Sequence, residues 1–167
     1  MAMRTDRRRP AEIWLGLGVF LALVTATGWL AAQVTLPALS WYAALIRPGF
    51  TPPDGLFGPV WTILYALMAI AAWRVWTTER EGSGARRALA MFLVQLALNA
   101  LWSPVFFGAK RPDVAFVVIL LLLGTLGVTL VQFFRLDRLA GWMLMPYLLW
   151  VAYAAVLNGA IVLLNRV

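Results

Sequence analysis

The sequence predicts an all-α integral membrane protein, a compact bundle of five transmembrane helices with a long proline- and aromatic-rich loop between helices 1 and 2. The chain has 167 residues, of which 63% are hydrophobic, and its mean hydropathy is +0.84. Five apolar stretches are each long enough to cross about 30 Å of hydrocarbon as a helix. Three of the connectors between them are only a few residues long, so successive helices are expected to lie antiparallel in one bundle.

The first stretch, about residues 13–36, follows a basic N-terminal arm at residues 1–12. A cleaved signal peptide would also begin with a basic segment and an apolar run, but about 24 apolar residues exceed the usual signal core. We therefore expect a retained helix. Gly18, Ala22 and Ala26 recur every four residues along it, a pattern of small residues that predicts close packing against another helix.

The other four stretches complete a transmembrane domain at about 13–164. Their predicted bounds are about 56–77, 88–109, 114–134 and 139–164, which leaves 165–167 as a C-terminal tail. With five spans, the face that holds the N-terminus would carry Arg4, Arg7, Arg8, Arg9, Arg74, Arg80, Arg86, Arg87, Arg135 and Arg138, and the other face only Arg47, Lys110, Arg111 and Arg166. The positive-inside rule then places the N-terminus in the cytoplasm if the membrane is a bacterial inner membrane. The alternative is that the protein resides in an outer membrane.

One connector, residues 37–55, is unusually long and joins the first two predicted helices. It ends in an Asp54-Gly55 turn signal and contains four prolines and three aromatic residues, Pro37, Pro48, Pro52, Pro53, Trp41, Tyr42 and Phe50. Loops of this length inside compact domains are often lids or binding loops. Because prolines favour a fixed shape, we expect a lid over the bundle. The alternative is an aromatic belt at the level of the lipid headgroups.

The composition excludes several classes of chemistry. The chain has nine tryptophans but no histidine and no cysteine, so it lacks the imidazole and thiolate groups that hold zinc or copper, ligate haem iron or relay protons. We therefore expect no metal site and no catalytic residue. No Asp, Glu or Lys lies inside a predicted span, which argues against ion-coupled pumping. The net charge of +7 comes from span ends, and the absence of a larger basic face argues against nucleic acid. What remains is flat aromatic surface, suited to a large planar ligand.

Aromatic and polar side chains recur at helical spacing on three of the predicted helices. These stripes are Phe57, Trp61, Tyr65, Met68 and Ala72 on the second span, Gln95, Asn99, Trp102 and Ser103 on the third, and Tyr147, Trp150, Ala154 and Asn158 on the fifth. Unpaired amides are costly at membrane depth, so Gln95 and Asn99 should point into the bundle. Three converging faces beneath an aromatic loop predict a ligand pocket. Ordinary packing with interhelical hydrogen bonds is the alternative.

Several segments resemble the family of tryptophan-rich sensory proteins and translocator proteins, also called peripheral-type benzodiazepine receptors. These segments are WYAALIRP and TPP in the loop, FGPVWTILYALM on the second span, QLALNALWSPVFFG on the third and PYLLWVAYAAVLN on the fifth. They agree in order, spacing and span position over about residues 41–158, most of the chain.

The resemblance implies a five-helix bundle, often a homodimer, with a pocket roofed by the first loop. Family ligands include porphyrins such as protoporphyrin IX, and sterols or isoquinoline and benzodiazepine drugs in some members. Matching the motifs residue by residue implies that the pocket is lined by Tyr42, Trp61, Asn99, Trp102, Trp150 and Ala154. The helical stripes add Tyr65 and Tyr147. Arg47 in the loop is expected to meet porphyrin propionates, and no covalent cofactor is expected.

The chain departs from the family pattern in two places. Phe50 stands where the family often has tryptophan before the paired prolines, which predicts a weaker stacking contact. After Tyr153 the next basic residue is Arg166, so the cholesterol-recognition pattern that animal members carry after the fifth span is absent. This difference argues against sterol binding.

The sequence thus predicts a membrane receptor or sensor that binds tetrapyrroles in an aromatic pocket within the bundle and regulates porphyrin or stress metabolism. Two alternatives stay open. The first is a light-dependent enzyme that degrades porphyrin, with pocket tryptophans as electron donors. The second is facilitated passage of porphyrin or lipid across the membrane, because the spans offer no site for a coupling ion.

Overall fold

The computed structural model describes residues 9–78 and 83–165. Over these ranges the chain forms α1 (Pro10–Thr35), α2 (Leu39–Ala44), α3 (Phe57–Thr78), α4 (Ser83–Ser103), α5 (Pro112–Leu136) and α6 (Arg138–Asn165). Among the described residues, five helices are long and apolar enough to cross a membrane, and the short α2 continues the segment that begins with α1. The predicted all-α bundle of five transmembrane helices is therefore confirmed.

The long helices begin where the sequence supplies a suitable first turn. α1 and α5 each begin with a proline, Pro10 and Pro112, at a position where the missing N–H is not needed by the helix. α6 begins after Asp137, whose carboxylate oxygen Oδ1 accepts hydrogen bonds from the backbone N–H groups of Leu139 at 2.8 Å and Ala140 at 3.2 Å. Asp137 is thus the N-cap of α6 and the single residue between α5 and α6.

The helices extend beyond the apolar stretches at several ends. α4 begins at Ser83, inside the charged segment before the predicted start at 88, because charged residues continue a helix readily at the membrane surface. At its other end α4 passes into a π-helical turn at Pro104–Gly108. Of the predicted basic arm, residues 1–8 lie outside the described residues, and α1 already includes residues 10–12.

The bundle is held together by small and aromatic side chains around α3. α3 packs against α1 and α6, while α5 lies between α4 and α6. Ala69 and Ala72 of α3 are fully buried, as are Phe92 of α4 and Leu144 of α6. Lipid tails are as apolar as these side chains, so close approach and van der Waals contact drive this packing more than the hydrophobic effect does.

The small residues that pack α1 against α3 are not the predicted ones. Gly18, Ala22 and Ala26 are exposed on the surface of the chain, so the expectation that they pack against another of its helices is wrong. Gly16 and Gly28 lie against α3 instead: an added Cβ would clash with the ring of Trp76 at Gly16, and would lie 2.6 Å from the ring of Tyr65 at Gly28. The position of the facing aromatic ring, rather than the spacing of small residues along α1, determines where a glycine is needed.

Candidate ligand-binding site

Four of the predicted site residues form one cluster, here called the inner cluster (Trp61, Tyr65, Asn99 and Tyr147). The rings of Trp61 and Tyr65 stack with their centroids 5.2 Å apart, and the edge of Trp61 meets Tyr147 at 6.1 Å. The Tyr65 hydroxyl donates a hydrogen bond to Asn99 Oδ1 at 3.0 Å, and Asn99 Nδ2 donates to the Tyr147 hydroxyl at 3.0 Å. Asn99 therefore links α3, α4 and α6 at one depth of the bundle.

A second group lies nearer the long connector and is here called the outer cluster. It consists of four aromatic residues and one amide, Tyr42, Trp102, Phe106, Phe107 and Asn158. Trp102 stacks on Phe106 at 4.9 Å, and its indole N–H donates to Asn158 Oδ1 at 3.1 Å. Tyr42, which is buried, meets Phe106 at 6.2 Å and Phe107 at 5.7 Å, both edge to face. The connector thus places Tyr42 against the π-helical turn that follows α4. Trp102 also packs against the larger set of buried residues between the long helices, here called the main core.

The last two predicted site residues, Trp150 and Ala154, lie one turn apart on α6 and are half-buried against the main core. Trp150 meets Phe57 at the start of α3 at 5.9 Å and Tyr153 at 5.9 Å. They continue the α6 stripe from Tyr147 toward the connector. Of the eight predicted residues, Tyr42 thus lies in the connector itself, and the other seven lie on α3, α4 and α6.

The connector, here called the roof, combines the short helix α2 with residues 45–53, which form no helix or strand, and α6 holds it in place. Asn165 at the end of α6 holds it by two hydrogen bonds: the Ile46 N–H donates to Asn165 Oδ1, and Asn165 Nδ2 donates to the Ile46 carbonyl, both at 3.0 Å. The Tyr153 hydroxyl donates to the Phe50 carbonyl at 2.5 Å. These contacts fix the roof to α6, while α2 packs on the end of α4 through Tyr42.

The predicted propionate partner Arg47 is already engaged within this roof. Its guanidinium lies 3.0 Å from the Asp54 carboxylate and 5.1 Å from the centre of the Tyr42 ring. A surface depression of about 490 Å³ lies beside it, lined by Ala43, Leu45, Arg47, Pro48, Thr51, Pro52, Pro53 and Asp54. Asp54 binds one guanidinium nitrogen, Nη1, and partly offsets the positive charge that Arg47 presents to an anionic ligand group.

The chemistry that these side chains offer is stacking and uncharged hydrogen bonding. Asn99 and Asn158 are both buried, and the inner cluster contains no ionisable acid or base other than tyrosine. Over residues 9–78 and 83–165, no group of three or more acidic, histidine or cysteine side chains lies close enough to hold a metal ion. Gln95 and Asn99 point into the bundle, as the cost of unpaired amides in lipid predicts.

Several residues of the site escaped the sequence prediction. Phe106 follows Trp102 at helical spacing and could have been found by extending the α4 stripe into the π-helical turn. Tyr153 and Asn165 hold the roof, but nothing local marks them, because their partners Phe50 and Ile46 lie more than a hundred residues earlier in the chain. Gly28, which leaves room for the Tyr65 ring, is likewise recognisable only from the contact between two helices.

The fold and the site define a class of protein: a five-helix integral membrane protein with an aromatic and amide cluster beneath a folded connector. Residues 18–164 match the sequence model of the TspO/MBR family, and the chain belongs to that family.

Three relatives illustrate the range of this similarity. A tryptophan-rich sensory protein of Cereibacter sphaeroides is 42% identical over 151 residues, which cover 88% of this chain and 91% of the relative. Protein CrtK of Rhodobacter capsulatus is 40% identical over 126 residues, or 75% and 79% of the two chains. The human translocator protein is 39% identical over 123 residues, 72% of each chain.

Proposed function

We propose that this protein is a membrane receptor or sensor that binds tetrapyrroles such as protoporphyrin IX and regulates porphyrin or stress metabolism. The observation that carries the proposal is the convergence of Trp61, Tyr65 and Tyr147 around Asn99, beneath a connector that brings further aromatic rings. Flat rings stack on a macrocycle, and burial of apolar surface contributes about 25 cal/mol per Å². Relatives named as sensory and translocator proteins agree with a role in signalling or transfer.

The eight predicted residues form the proposed binding surface: Tyr42, Trp61, Tyr65, Asn99, Trp102, Tyr147, Trp150 and Ala154. Many of their rings contact one another, so entry of a planar ligand requires the roof to lift and the rings to separate. The roof is fixed to α6 by the hydrogen bonds of Asn165 and Tyr153. A hydrogen bond contributes a net of about 0.5–1.5 kcal/mol, so ligand binding can compensate for breaking these few contacts. We propose that the connector acts as a lid.

Titration of protoporphyrin IX into detergent-solubilised protein in the dark tests this function. Saturable quenching of tryptophan fluorescence and a shift of the porphyrin absorption band are expected.

Hydrogen exchange adds a test of the lid: ligand should slow exchange in residues 41–55 more than in the α5–α6 turn around Asp137, at the opposite end of α6. Equal protection of both segments, or of neither, would show that the connector only lies in the headgroup layer.

The stacked Trp61–Tyr65 pair favours a second candidate, light-dependent breakdown of bound porphyrin, because aromatic rings in contact can pass an electron to an excited macrocycle. Illumination of the complex with and without oxygen, followed by analysis of the products, distinguishes the two functions. A receptor returns unchanged porphyrin in the dark, and under illumination its bound porphyrin is lost no faster than free porphyrin. Faster loss of bound than of free porphyrin, abolished by replacing Trp61 with Phe, would establish the enzyme.

We also propose that, in a bacterial inner membrane, the N-terminus lies in the cytoplasm and the roof on the opposite side. The roof face carries few cationic side chains, which accords with the positive-inside rule. The chain has no cysteine, so single cysteines report topology without background. Ser40→Cys on exposed α2 should react with an impermeant maleimide added to intact cells, whereas Arg138→Cys should react only after lysis; the reverse pattern would invert the orientation.

A further inference from the structure

Gln95 is the one amide of the α4 stripe without an internal partner. Its side chain is fully buried, and neither Nε2 nor Oε1 has a hydrogen-bond partner among residues 9–78 and 83–165. Asn99, one turn further along α4, uses both amide atoms to bind Tyr65 and Tyr147. An unpaired buried amide is costly, and in a bilayer no surrounding solvent can satisfy it. Gln95 therefore does not stabilise the fold through hydrogen bonds of its own.

The position of Gln95 is directly beneath the inner cluster, on the side away from the roof. Residues 95 and 99 share a face of α4, so both side chains point toward the interior. α3 runs antiparallel to α4, so the residues one turn beyond Tyr65 lie at this depth; they are Met68 and Ala69, which are flexible or small and are fully buried. Short and flexible side chains can yield to a ligand more readily than rings can.

The surroundings also define the charge of the partner. Residues 57–73, 88–103 and 139–165, which make up the interior lengths of α3, α4 and α6, contain no Asp, Glu, Lys or Arg. A charged group brought to this depth would be desolvated without a counter-ion. A glutamine amide presents a donor and an acceptor side by side, and it is complemented by an uncharged carbonyl, carboxamide or undissociated carboxylic acid.

We infer that Gln95 is a ligand-binding residue at the floor of the pocket, where it hydrogen-bonds an uncharged carbonyl-bearing group of a planar ligand that has passed the inner cluster. This inference rests on the proposed function and adds to it the polar contact that fixes how deep and in which orientation the ligand lies. The amide is left unpaired in the ligand-free protein and becomes paired on binding, so it contributes to affinity at the expense of stability.

Gln95→Met tests the inference, because methionine keeps the length and flexibility of the side chain and removes the amide. The matched control is Gln132→Met on α5, where Oε1 is also buried without a partner but lies outside the site. Melting temperature and dissociation constant are measured in detergent with protoporphyrin IX and with its uncharged dimethyl ester, which keeps the carbonyl acceptors. For Gln95→Met we expect a melting temperature at or above that of the wild type and about tenfold weaker binding of both porphyrins, because the propionic acid of the diacid that reaches Gln95 binds there undissociated.

The control variant Gln132→Met should bind both porphyrins as the wild type does. A lower melting temperature for Gln95→Met, whatever its affinity, would show that the amide stabilises the fold and would overturn the inference. Three results for binding would also overturn the inference: an affinity of Gln95→Met equal to that of the wild type, an equal loss of affinity in Gln132→Met, or a loss of affinity in Gln95→Met only for the charged diacid. If the wild type binds neither porphyrin, the proposed function itself fails; if it binds and Gln95→Met binds equally well, only the assignment of Gln95 fails.

Discussion

Asn99→Leu should both destabilise the protein and weaken porphyrin binding, because this one side chain links three helices. Leucine has nearly the same volume but removes the acceptor for the Tyr65 hydroxyl and the donor to the Tyr147 hydroxyl. Interhelical hydrogen bonds in membrane proteins average about 0.6 kcal/mol and reach about 1.7 kcal/mol. Two such bonds give an expected loss of about 1–3 kcal/mol, and a chain of this size melts about 2–4 °C lower for each kcal/mol.

A double-mutant cycle with Tyr147→Phe isolates the bond between Asn99 and Tyr147. Tyr147 is fully buried, so phenylalanine removes the hydroxyl without exposing the ring. Thermal unfolding in detergent is measured for the wild type, both single variants and the double variant. We expect a coupling free energy of about 0.6–1.7 kcal/mol. Strict additivity, or an unchanged melting temperature in Asn99→Leu, would refute the assignment of Asn99 as the link between α4 and α6.

Three further outcomes follow from the contacts described above. Trp61→Ala should weaken binding of protoporphyrin IX by about 1–3 kcal/mol, the loss typical of an aromatic stacking partner, whereas Trp29→Ala, 61% exposed on α1, should not change it. Asn165→Ala removes both hydrogen bonds to the roof, so limited proteolysis should cut the connector faster while the melting temperature changes little. Asp137→Ala removes the N-cap of α6 and the 2.8 Å contact with Arg74, so the free energy of thermal unfolding should fall by about 1–2 kcal/mol. Asp137→Asn can still cap the helix and should lose less stability. Equal losses in the two variants would contradict the role of Asp137 as the cap.

The five-helix architecture could be predicted because it depends on local properties of the chain. A stretch of apolar residues long enough to cross the bilayer must satisfy its own backbone hydrogen bonds, and a helix is the structure that does so without a partner segment. Helical periodicity then indicates which side chains share a face, and it places Trp61 and Tyr65 on one stripe of α3 and Asn99 on one stripe of α4.

Only the tertiary structure decided how those faces meet. The sequence marks Gln95 and Asn99 alike as inward amides, yet Asn99 binds two tyrosines and Gln95 binds none, because the partners come from helices whose axial register the sequence does not state. Asn165 holds Ile46 across 119 positions of the chain. Gly28 leaves room for the ring of Tyr65, which comes from another helix. Hydropathy and periodicity describe one helix at a time, whereas hydrogen bonds and close contacts depend on the relative position of two.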